Sequence, residues 1–234
     1  IKFIPCPAIT PHNKSLTLFL KVIIMKISVV GAGNMASAFV KQLHGAGHQV
    51  NIASRDVAKA NALAAQYTGV VSMPIHDIAK EADAIVLATG YGDAVAALTS
   101  ANIQAGQIVI DITNPLTADY MGLTVGHSTS AAEEISKAVP HAHVVKAFNT
   151  LFAAVLNEGA NFGNAQKVTV FVAGDNAASK ETVQSLATSM GFLTIDAGAL
   201  KNARYLEPLA GLNTYLGYGA GFGTSVAPTW IRKV

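Results

Sequence analysis

A glycine-rich turn between two apolar segments constrains the fold more than any other feature of the sequence. The turn reads Gly31-Ala32-Gly33-Asn34-Met35-Ala36 and follows a short apolar segment at residues 26–30. In a G-x-G-x-x-A pattern the first glycine permits a tight turn, the second lets the backbone approach a pyrophosphate, and the small last residue allows close helix–sheet packing. Beyond the turn, apolar residues recur three and four positions apart, as on one helix face: Met35, Ala36, Phe39, Val40 and Leu43. The sequence therefore predicts a strand, a turn and a helix that bind a dinucleotide.

Eight short apolar segments in all predict the strands of a sheet. They recur at intervals of mostly about 20 to 35 residues and are separated by helix-like patterns, as expected of repeated βα units. Most are continuous rather than alternating in hydropathy, which suits parallel strands covered on both faces. We expect strands at 26–30, 49–53, 70–72, 83–88, 107–111, 144–147, 168–172 and 193–196. The predicted fold class is α/β: a Rossmann-type doubly wound, mostly parallel sheet with a small C-terminal α/β extension that closes a cleft.

The composition excludes several classes of protein. Of the 234 residues, 51% are hydrophobic and 13% are charged, so the chain can bury a large core and is not intrinsically disordered. The net charge is +2 and no run of like charges occurs, so we expect no nucleic-acid partner. Residues 208–231 carry no charge, but their five glycines and Pro228 make a poor membrane span. We therefore expect no stable membrane insertion.

Residues 1–24 differ in character from the rest of the chain. They contain three lysines, no acidic residue and the single cysteine, Cys6, and they lack the features of an efficient signal peptide. We interpret them as a leader that is not part of the fold, with translation starting at Met25. The remaining chain then has no cysteine for a disulfide or a metal site, which favours a reducing, cytoplasmic location. We expect residues 25–150 to form the dinucleotide-binding domain and residues 151–234 a small region for a substrate or second cofactor.

The residues after the second predicted strand indicate which dinucleotide is bound. NAD-selective sites usually place an acidic residue there to bind the ribose hydroxyls, whereas this chain has Ser54-Arg55-Asp56. Ser54 can donate to a 2′-phosphate, Arg55 can pair with it and lie against the adenine, and Lys59 returns on the same helix face. These residues predict NADP. In the alternative, Ser54 only caps a helix, Arg55 and Lys59 form a solvated face, and Asp56 binds the ribose of NAD.

Four further segments make the prediction more specific. They are Ala88-Thr89-Gly90, Asp111-Ile112-Thr113-Asn114-Pro115, Val144-Val145-Lys146-Ala147-Phe148-Asn149-Thr150, and Asp196-Ala197-Gly198 followed by Asn202-Ala203-Arg204-Tyr205-Leu206-Glu207. With the S-R-x-x-x-K pattern, this set resembles the NADP oxidoreductases that depend on the deazaflavin coenzyme F-420, from Met25 to about Pro208. It is also similar to the cytosolic NADPH-binding portion of the membrane metalloreductases, whose transmembrane haem domain has no counterpart in the sequence.

The resemblance implies an enzyme that passes hydride directly between the nicotinamide of NADP and a flavin or deazaflavin, its small-molecule redox acceptor. It implies that the phosphate loop is formed by Gly31, Gly33, Asn34 and Met35, and the 2′-phosphate clamp by Ser54, Arg55 and Lys59. It implies that Thr89, Gly90, Asn114 and Ala147 also bind the cofactor, and that the reaction centre is lined by Thr89, Asn114, Ala147, Phe148 and Asn149. Because such cofactors carry the reactivity themselves, the resemblance names no general acid or base, and the catalytic residues stay unknown.

Two other functions fit the same motifs. An imine or 3-hydroxyacid reductase similar to pyrroline-5-carboxylate reductase has a similar first domain, but such enzymes continue into an all-helical domain of about a hundred residues. An NADP-sensing binding module would keep the site without the chemistry, because a fold and a binding site do not prove a reaction. The sequence also leaves open the direction of the reaction and the oligomeric state, including a homodimer formed through the glycine-rich and aromatic C-terminal segment.

Other titratable residues raise the hypotheses of a metal site and of acid–base catalysis. His141 and His143 have the spacing of two metal ligands on one strand face, but no third ligand can be assigned, so we expect no metal site. Glu133 fits a capping box with Ser130 better than it fits acid–base chemistry. Lys146 is a candidate proton donor for the hydride step, although we expect a strand-end lysine with its ammonium group in water.

Overall fold

The computed structural model describes residues 24–163, 166–231 and 233, and these residues form an eight-stranded sheet with helices packed on both faces. The predicted leader, residues 1–24, lies outside the described residues except for Ile24. The strands are β1 Lys26–Val30, β2 Gln49–Ala53, β3 Val71–Ser72, β4 Ala84–Leu87, β5 Ile108–Asp111, β6 His143–Lys146, β7 Thr169–Gly174 and β8 Leu193–Gly198. The helices are α1 Asn34–Gly45, α2 Val57–Ala64, α3 Ala94–Ser100, α4 Ala131–Ala138, α5 Ala153–Glu158, α6 Ala177–Ser189 and α7 Ala203–Thr214.

The strand order is β3-β2-β1-β4-β5-β6-β7-β8, and every neighbouring pair is parallel except β6 and β7. The first six strands have the order of a doubly wound dinucleotide-binding fold. The predicted fold class is confirmed, and all eight predicted strands are present with bounds within two residues. The sequence did not reveal the reversal at β7, because an apolar strand buried on both faces has the same hydropathy pattern in either direction. The domain division at residue 150 stays a prediction.

Two apolar layers, one on each face of the sheet, form the core. The layer under α1 and α6 includes Ile27, Val29 and Phe39, and the layer under α3 and α4 includes Val30 and Leu98. Alternation of side chains along β1 explains why Val29 and Val30 belong to different layers. The predicted apolar face of α1 is confirmed at Ala36, Phe39, Val40 and Leu43, which are buried, whereas Met35 is only partly buried.

The segment that carries no charge, residues 208–231, begins inside α7. The helix continues into a π-helical turn at Tyr215–Gly219, and the glycine-rich residues follow. Within the described ranges no helix is long and apolar enough to cross a membrane.

Phe148, directly after β6, joins the core by an unusual backbone conformation. Its φ is +59°, which non-glycine residues seldom adopt, and its side chain is fully buried. The ring packs edge-on against Phe39, with centroids 5.0 Å apart, and against Phe192 at 6.1 Å. These aromatic contacts hold the strand end in place.

We expect Phe148→Ala to lower the free energy of unfolding by about 3 to 5 kcal/mol, because it leaves a cavity between Phe39 and Phe192. Urea denaturation followed by circular dichroism measures this loss. Phe222→Ala is the matched control, since the Phe222 side chain is 65% exposed. Equal, small losses for both variants would show that the Phe148 ring does not stabilise the core.

Candidate functional site

The turn after β1 passes very close to the end of β4. Gly31 has φ +135°, and a Cβ atom there would lie 2.2 Å from the carbonyl oxygen of Ala88. The N–H of Gly31 donates to the carbonyl of Ala53 at 2.8 Å, so the turn is also fixed to β2. Glycine alone tolerates this backbone conformation and this approach. The first glycine of the motif is therefore required by the fold itself.

The start of α1 has room for a ligand. A Cβ atom at Gly33 would meet nothing within 4 Å, so no described part of the protein requires glycine there. Gly33 is the N-cap of α1, and no side chain accepts a hydrogen bond from the first turn of the helix. A helix start with N–H groups that lack a side-chain acceptor favours a bound anion. Gly33 and Asn34 therefore fit the pyrophosphate of a dinucleotide.

The turn after β2 is organised by Asp56. Its carboxylate accepts the backbone N–H of Lys59 at 3.1 Å and so caps α2, and this hydrogen bond is the main cause of the lowered pKa of Asp56. The hydroxyl oxygen of Ser54 accepts the N–H of Asp56 at 3.3 Å. Asp56 rather than Ser54 is thus the helix cap, and the carboxylate that the alternative assigned to an NAD ribose already has a structural role.

Arg55 and Lys59 are exposed cations beside this turn. The Nη2 atom of Arg55 lies 2.8 Å from Oδ2 of Asp93, and Nζ of Lys59 lies 3.5 Å from Oδ2 of Asp56. Such exposed ion pairs add little stability and exchange partners readily. The sequence did not single out Asp93, which places a carboxylate against the guanidinium predicted to bind a phosphate.

A first pocket of about 230 Å³ lies at the ends of β1, β2 and β4. Its lining includes five of the predicted cofactor residues: Gly31, Ser54, Arg55, Thr89 and Gly90. The Oγ1 atom of Thr89 is buried and has no hydrogen-bond partner among the described residues. A buried hydroxyl without a partner costs free energy unless a ligand or water completes its hydrogen bonds. The first pocket therefore fits the nucleotide on steric and polar grounds.

A second pocket of about 280 Å³ lies at the ends of β5 and β6, next to the start of α1. Asn34 and Met35 of the glycine-rich motif line it, and so do Asn114 and Asn149. The far side is formed by α7 and the aromatic residues around it, namely Tyr120, Phe152, Ala210, Asn213, Thr214 and Tyr218. The two pockets are thus linked by one turn, with Gly31 lining the first and Asn34 the second.

Two asparagines fix the floor of the second pocket. The Nδ2 atom of Asn114 donates to the carbonyl of Asn149 at 2.7 Å, and Nδ2 of Asn149 donates to Oδ1 of Asn114 and to the carbonyl of Leu206, both at 3.0 Å. Within the described chain, Oδ1 of Asn149 and Oγ1 of Thr150 are buried and lack a partner. Both residues line the second pocket, so their unsatisfied oxygens are candidate hydrogen-bonding groups for a ligand there.

Ala147 and Phe148 do not contribute side chains to this pocket. Both are fully buried, and the Phe148 ring faces Phe39 and Phe192 in the core. The expectation for the segment 147–149 is corrected accordingly, and Asn149 alone brings a side chain to the pocket lining. The left-handed backbone at Phe148 turns its ring away from the edge of the sheet.

Lys146 does not place its ammonium group in water, contrary to the expectation from sequence. The side chain is fully buried, with Nζ 2.9 Å from Oδ2 of Asp111 and 2.9 Å from Oε1 of Glu207. It also donates to the carbonyl of Thr113 at 2.6 Å. The ammonium group is thus fully buried among these partners and does not line the second pocket.

The remaining titratable candidates have structural partners. Ser130 caps α4 through the N–H of Glu133, as predicted, and Arg204 forms two hydrogen bonds with the Glu133 carboxylate, which lowers the pKa of Glu133. His141 bonds to the carbonyl of Ile103, and His143 bonds to the hydroxyl of Ser179. Across the described residues no group of three or more His, Cys, Asp or Glu side chains could hold a metal ion.

Comparisons with known proteins agree with this geometry. A family model described as NADP oxidoreductase, coenzyme F420-dependent, matches residues 26–115. A crystal structure of a candidate F420-dependent NADP reductase from Arthrobacter sp. FB24 is 31% identical, with a TM-score of 0.77, and the match covers 86% of this chain and 96% of that one. Metalloreductase STEAP3 of Rattus norvegicus is 29% identical over 185 residues, which are 79% of this chain and 36% of that protein.

The fold and the linked pockets fit a dinucleotide-binding protein, and the comparisons identify a family of oxidoreductases. The chain belongs to the family of NADP oxidoreductases that depend on coenzyme F-420, which confirms the predicted resemblance, NADP as the cofactor of the family and the enzyme class. The chain spans about a third of the length of the curated relatives that it matches. A reductive aminase from Aspergillus terreus, 19% identical with a TM-score of 0.62, covers 85% of this chain and 63% of its own and shares the fold.

We expect Gly31→Ala to abolish nucleotide binding or to destabilise the fold strongly, because its Cβ atom would collide with the backbone of β4. Calorimetric titration with NADPH and thermal unfolding measure the two effects. Gly45→Ala is the matched control, since a Cβ atom at Gly45 meets nothing within 4 Å. Normal NADPH affinity in Gly31→Ala would refute the requirement for glycine at this turn.

Proposed function

We propose that this chain is an NADP(H)-dependent oxidoreductase that exchanges hydride directly between the nicotinamide and a flavin or deazaflavin acceptor. The observation that carries the proposal is the pair of pockets joined at the turn that precedes α1. The first has the dimensions and polar groups for the phosphate-bearing part of a dinucleotide, and the second has an aromatic wall and unsatisfied polar atoms. Two bound molecules would therefore meet where this turn ends, beside Asn34 and Met35 of the second pocket.

The nucleotide would be held mainly by backbone and by the residues after β2. Gly31, Gly33, Asn34 and Met35 would hold the pyrophosphate, and Ser54, Arg55 and Lys59 would bind the 2′-phosphate. Arg55 suits this role because its guanidinium is exposed and already pairs with a carboxylate, which shows that an anion fits at that position. Thr89 and Gly90 would contact the middle of the nucleotide, where the unpartnered Thr89 hydroxyl lies.

The acceptor would bind in the second pocket against its aromatic side. The rings of Phe152 and Tyr218 are nearly perpendicular, with centroids 5.5 Å apart. The ring centroids of Tyr120 and Tyr218 are 6.4 Å apart. A planar ring system can pack on such a surface, and Oδ1 of Asn149 and Oγ1 of Thr150 would hydrogen-bond to its polar edge or to the nicotinamide amide. Asn114 would act through Asn149, which it orients.

The proposed reaction requires the protein to position two ring systems and does not require a reactive side chain. A nicotinamide supplies or accepts the hydride, and a flavin-like ring receives or gives it. The residues of the second pocket would hold the two rings in contact and exclude water. In the described chain its lining has no carboxylate, imidazole or ammonium group, which is consistent with direct hydride exchange.

The alternative of an imine or 3-hydroxyacid reductase has less support. Reduction of a C=N or C=O group requires a proton donor at the nitrogen or oxygen. Among the described residues, the phenols that line the second pocket are those of Tyr120 and Tyr218, and both side chains are more than half exposed. The likeness to the reductive aminase concerns the fold. A binding module that senses NADP would require the same first pocket and no acceptor. A cytoplasmic location, a homodimer and the division into domains at residue 150 stay predictions.

We expect Arg55→Ala to weaken NADPH binding by about 1.5 to 3 kcal/mol, the range for a charge-assisted hydrogen bond, and to leave NADH binding nearly unchanged. Calorimetric titration with each nucleotide tests this difference. Asp93→Asn is the control, because it breaks the same ion pair and keeps the guanidinium, so NADPH binding should not fall. Equal losses for both nucleotides in Arg55→Ala would refute the clamp.

Stopped-flow oxidation of bound NADPH, followed at its nicotinamide absorbance, tests the reaction itself. FMN, FAD and a deazaflavin coenzyme are offered in turn, with a cyclic imine and a 3-keto acid as competing substrate classes. Rapid transfer to one of the three ring systems is the expected result and identifies the acceptor. Transfer to the imine or keto acid instead would establish the alternative, and tight binding without any transfer would favour the sensor.

A further inference from the structure

A cluster of three charged side chains lies beneath the second pocket. Lys146 at the end of β6 contacts Asp111 at the end of β5 and Glu207 in α7, with both N–O distances 2.9 Å. The three side chains are at most 1% exposed. None of them lines the second pocket, so the cluster does not contact a molecule bound there.

The charges of this cluster need a precise arrangement of partners. Two carboxylates face one ammonium group, and the surplus negative charge is met by the start of α4, where Glu207 accepts the N–H groups of Ala131 at 2.8 Å and Ala132 at 3.1 Å. Asp111 also accepts the N–H of Thr113 at 2.8 Å. Burying charges is costly unless each has its full set of partners, so a displacement of Glu207 is strongly opposed.

Two further hydrogen bonds join α7 to the same strand ends. The carbonyl of Leu206 accepts from Asn149 at 3.0 Å, and Asn213 donates to the carbonyl of Thr150 at 3.1 Å. Residues 207 and 213 are separated by roughly 9 Å along a helix, so these contacts fix both its position and its rotation. Pro208 has no N–H and removes one hydrogen bond from the helix, which increases the importance of contacts made by side chains.

The helix held in this way forms one side of the second pocket and no part of the first. Ala210, Asn213 and Thr214 line the second pocket, and Tyr218 follows in the π-helical turn. We propose that Glu207, acting through Lys146, is a positioning residue that sets the place of α7 and thereby the affinity for the acceptor, without touching either bound molecule. This inference rests on the proposed function, because it requires an acceptor in the second pocket.

The test uses Glu207→Gln and Glu207→Asp in the full chain, with Glu181→Gln as the matched control on the exposed face of α6. The glutamine removes the charge that pairs with Lys146. The aspartate keeps the charge balance of the cluster but shortens the side chain by about 1.5 Å, so it is expected to fold even if the glutamine variant does not. Four quantities are measured: the Kd for NADPH, the KM for the acceptor found by stopped flow, its kcat, and the hydrogen exchange of backbone amides.

For both Glu207 variants we expect the KM for the acceptor to rise about tenfold or more and the Kd for NADPH to change by less than about twofold. Amide exchange should accelerate in residues 203–219 and stay unchanged in 26–45, and Glu181→Gln should match the unaltered chain. Unchanged KM and unchanged exchange in α7 would overturn the inference, as would a parallel loss of NADPH binding, which indicates general destabilisation.

The two proposals fail in different ways. If the unaltered chain binds NADPH but transfers hydride to no ring acceptor, the proposed function is overturned, and the role of Glu207 in acceptor binding is overturned with it. If the unaltered chain transfers hydride and the Glu207 variants keep its KM, only the inference about Glu207 is overturned.

Discussion

Parallel pairing of β1, β4, β5 and β6 brings their last residues to one edge of the sheet. Both pockets depend on this alignment. Val30 pairs with Leu87, Leu87 with Asp111, and Asp111 with Lys146, so four strand ends lie in one row. The residues that follow each strand necessarily meet at this edge. The glycine-rich turn, the hydroxyl of Thr89 and the two asparagines are close in space for this reason, although they are far apart in sequence.

The same register brings Asp111 directly beside Lys146. Their side chains point to the same face and lie between the sheet and the helices that cover it, where water does not compensate their charges. A shift of either strand by one residue would place its own charged group on the opposite face and separate it from its partner. The buried ion pair thus favours one alignment of β5 with β6 and, through Glu207, one position of α7.

Local patterns were sufficient to predict most of the fold and the first pocket. The spacing of apolar segments located all eight strands, and the tight turn at Gly31 follows from residues adjacent in the chain. The contacts that depend on distant residues could not be predicted in this way. Lys146 was expected to reach water because a strand gives no sign of what covers it, and its partner Glu207 is 61 residues away. The charged residue within the apolar segment 144–148 was a signal of a buried partner, but nothing in the sequence identified that partner.

The reversal of β7 and the direction of the Phe148 ring also depend on the tertiary structure. The hydropathy of residues 168–172 contains no information on strand direction, and the Phe148 ring packs against Phe39 and Phe192, which are distant in the sequence. For the same reason, sequence similarity around residues 147–149 did not distinguish Asn149, which lines the second pocket, from Ala147 and Phe148, which are buried in the core.

The ion pair between Arg55 and Asp93 bears on how the proposed site would discriminate between nucleotides. When NADP binds, its 2′-phosphate would take the place of Asp93 as the partner of the guanidinium. The gain in binding free energy would therefore be smaller than for an arginine without a carboxylate partner. With NAD, Arg55 would keep Asp93 and no charge would be left without a partner. Selectivity would then come from the added attraction between Arg55 and the 2′-phosphate. Because Arg55 keeps a partner when NAD is bound, the site would still bind NAD, although more weakly than NADP.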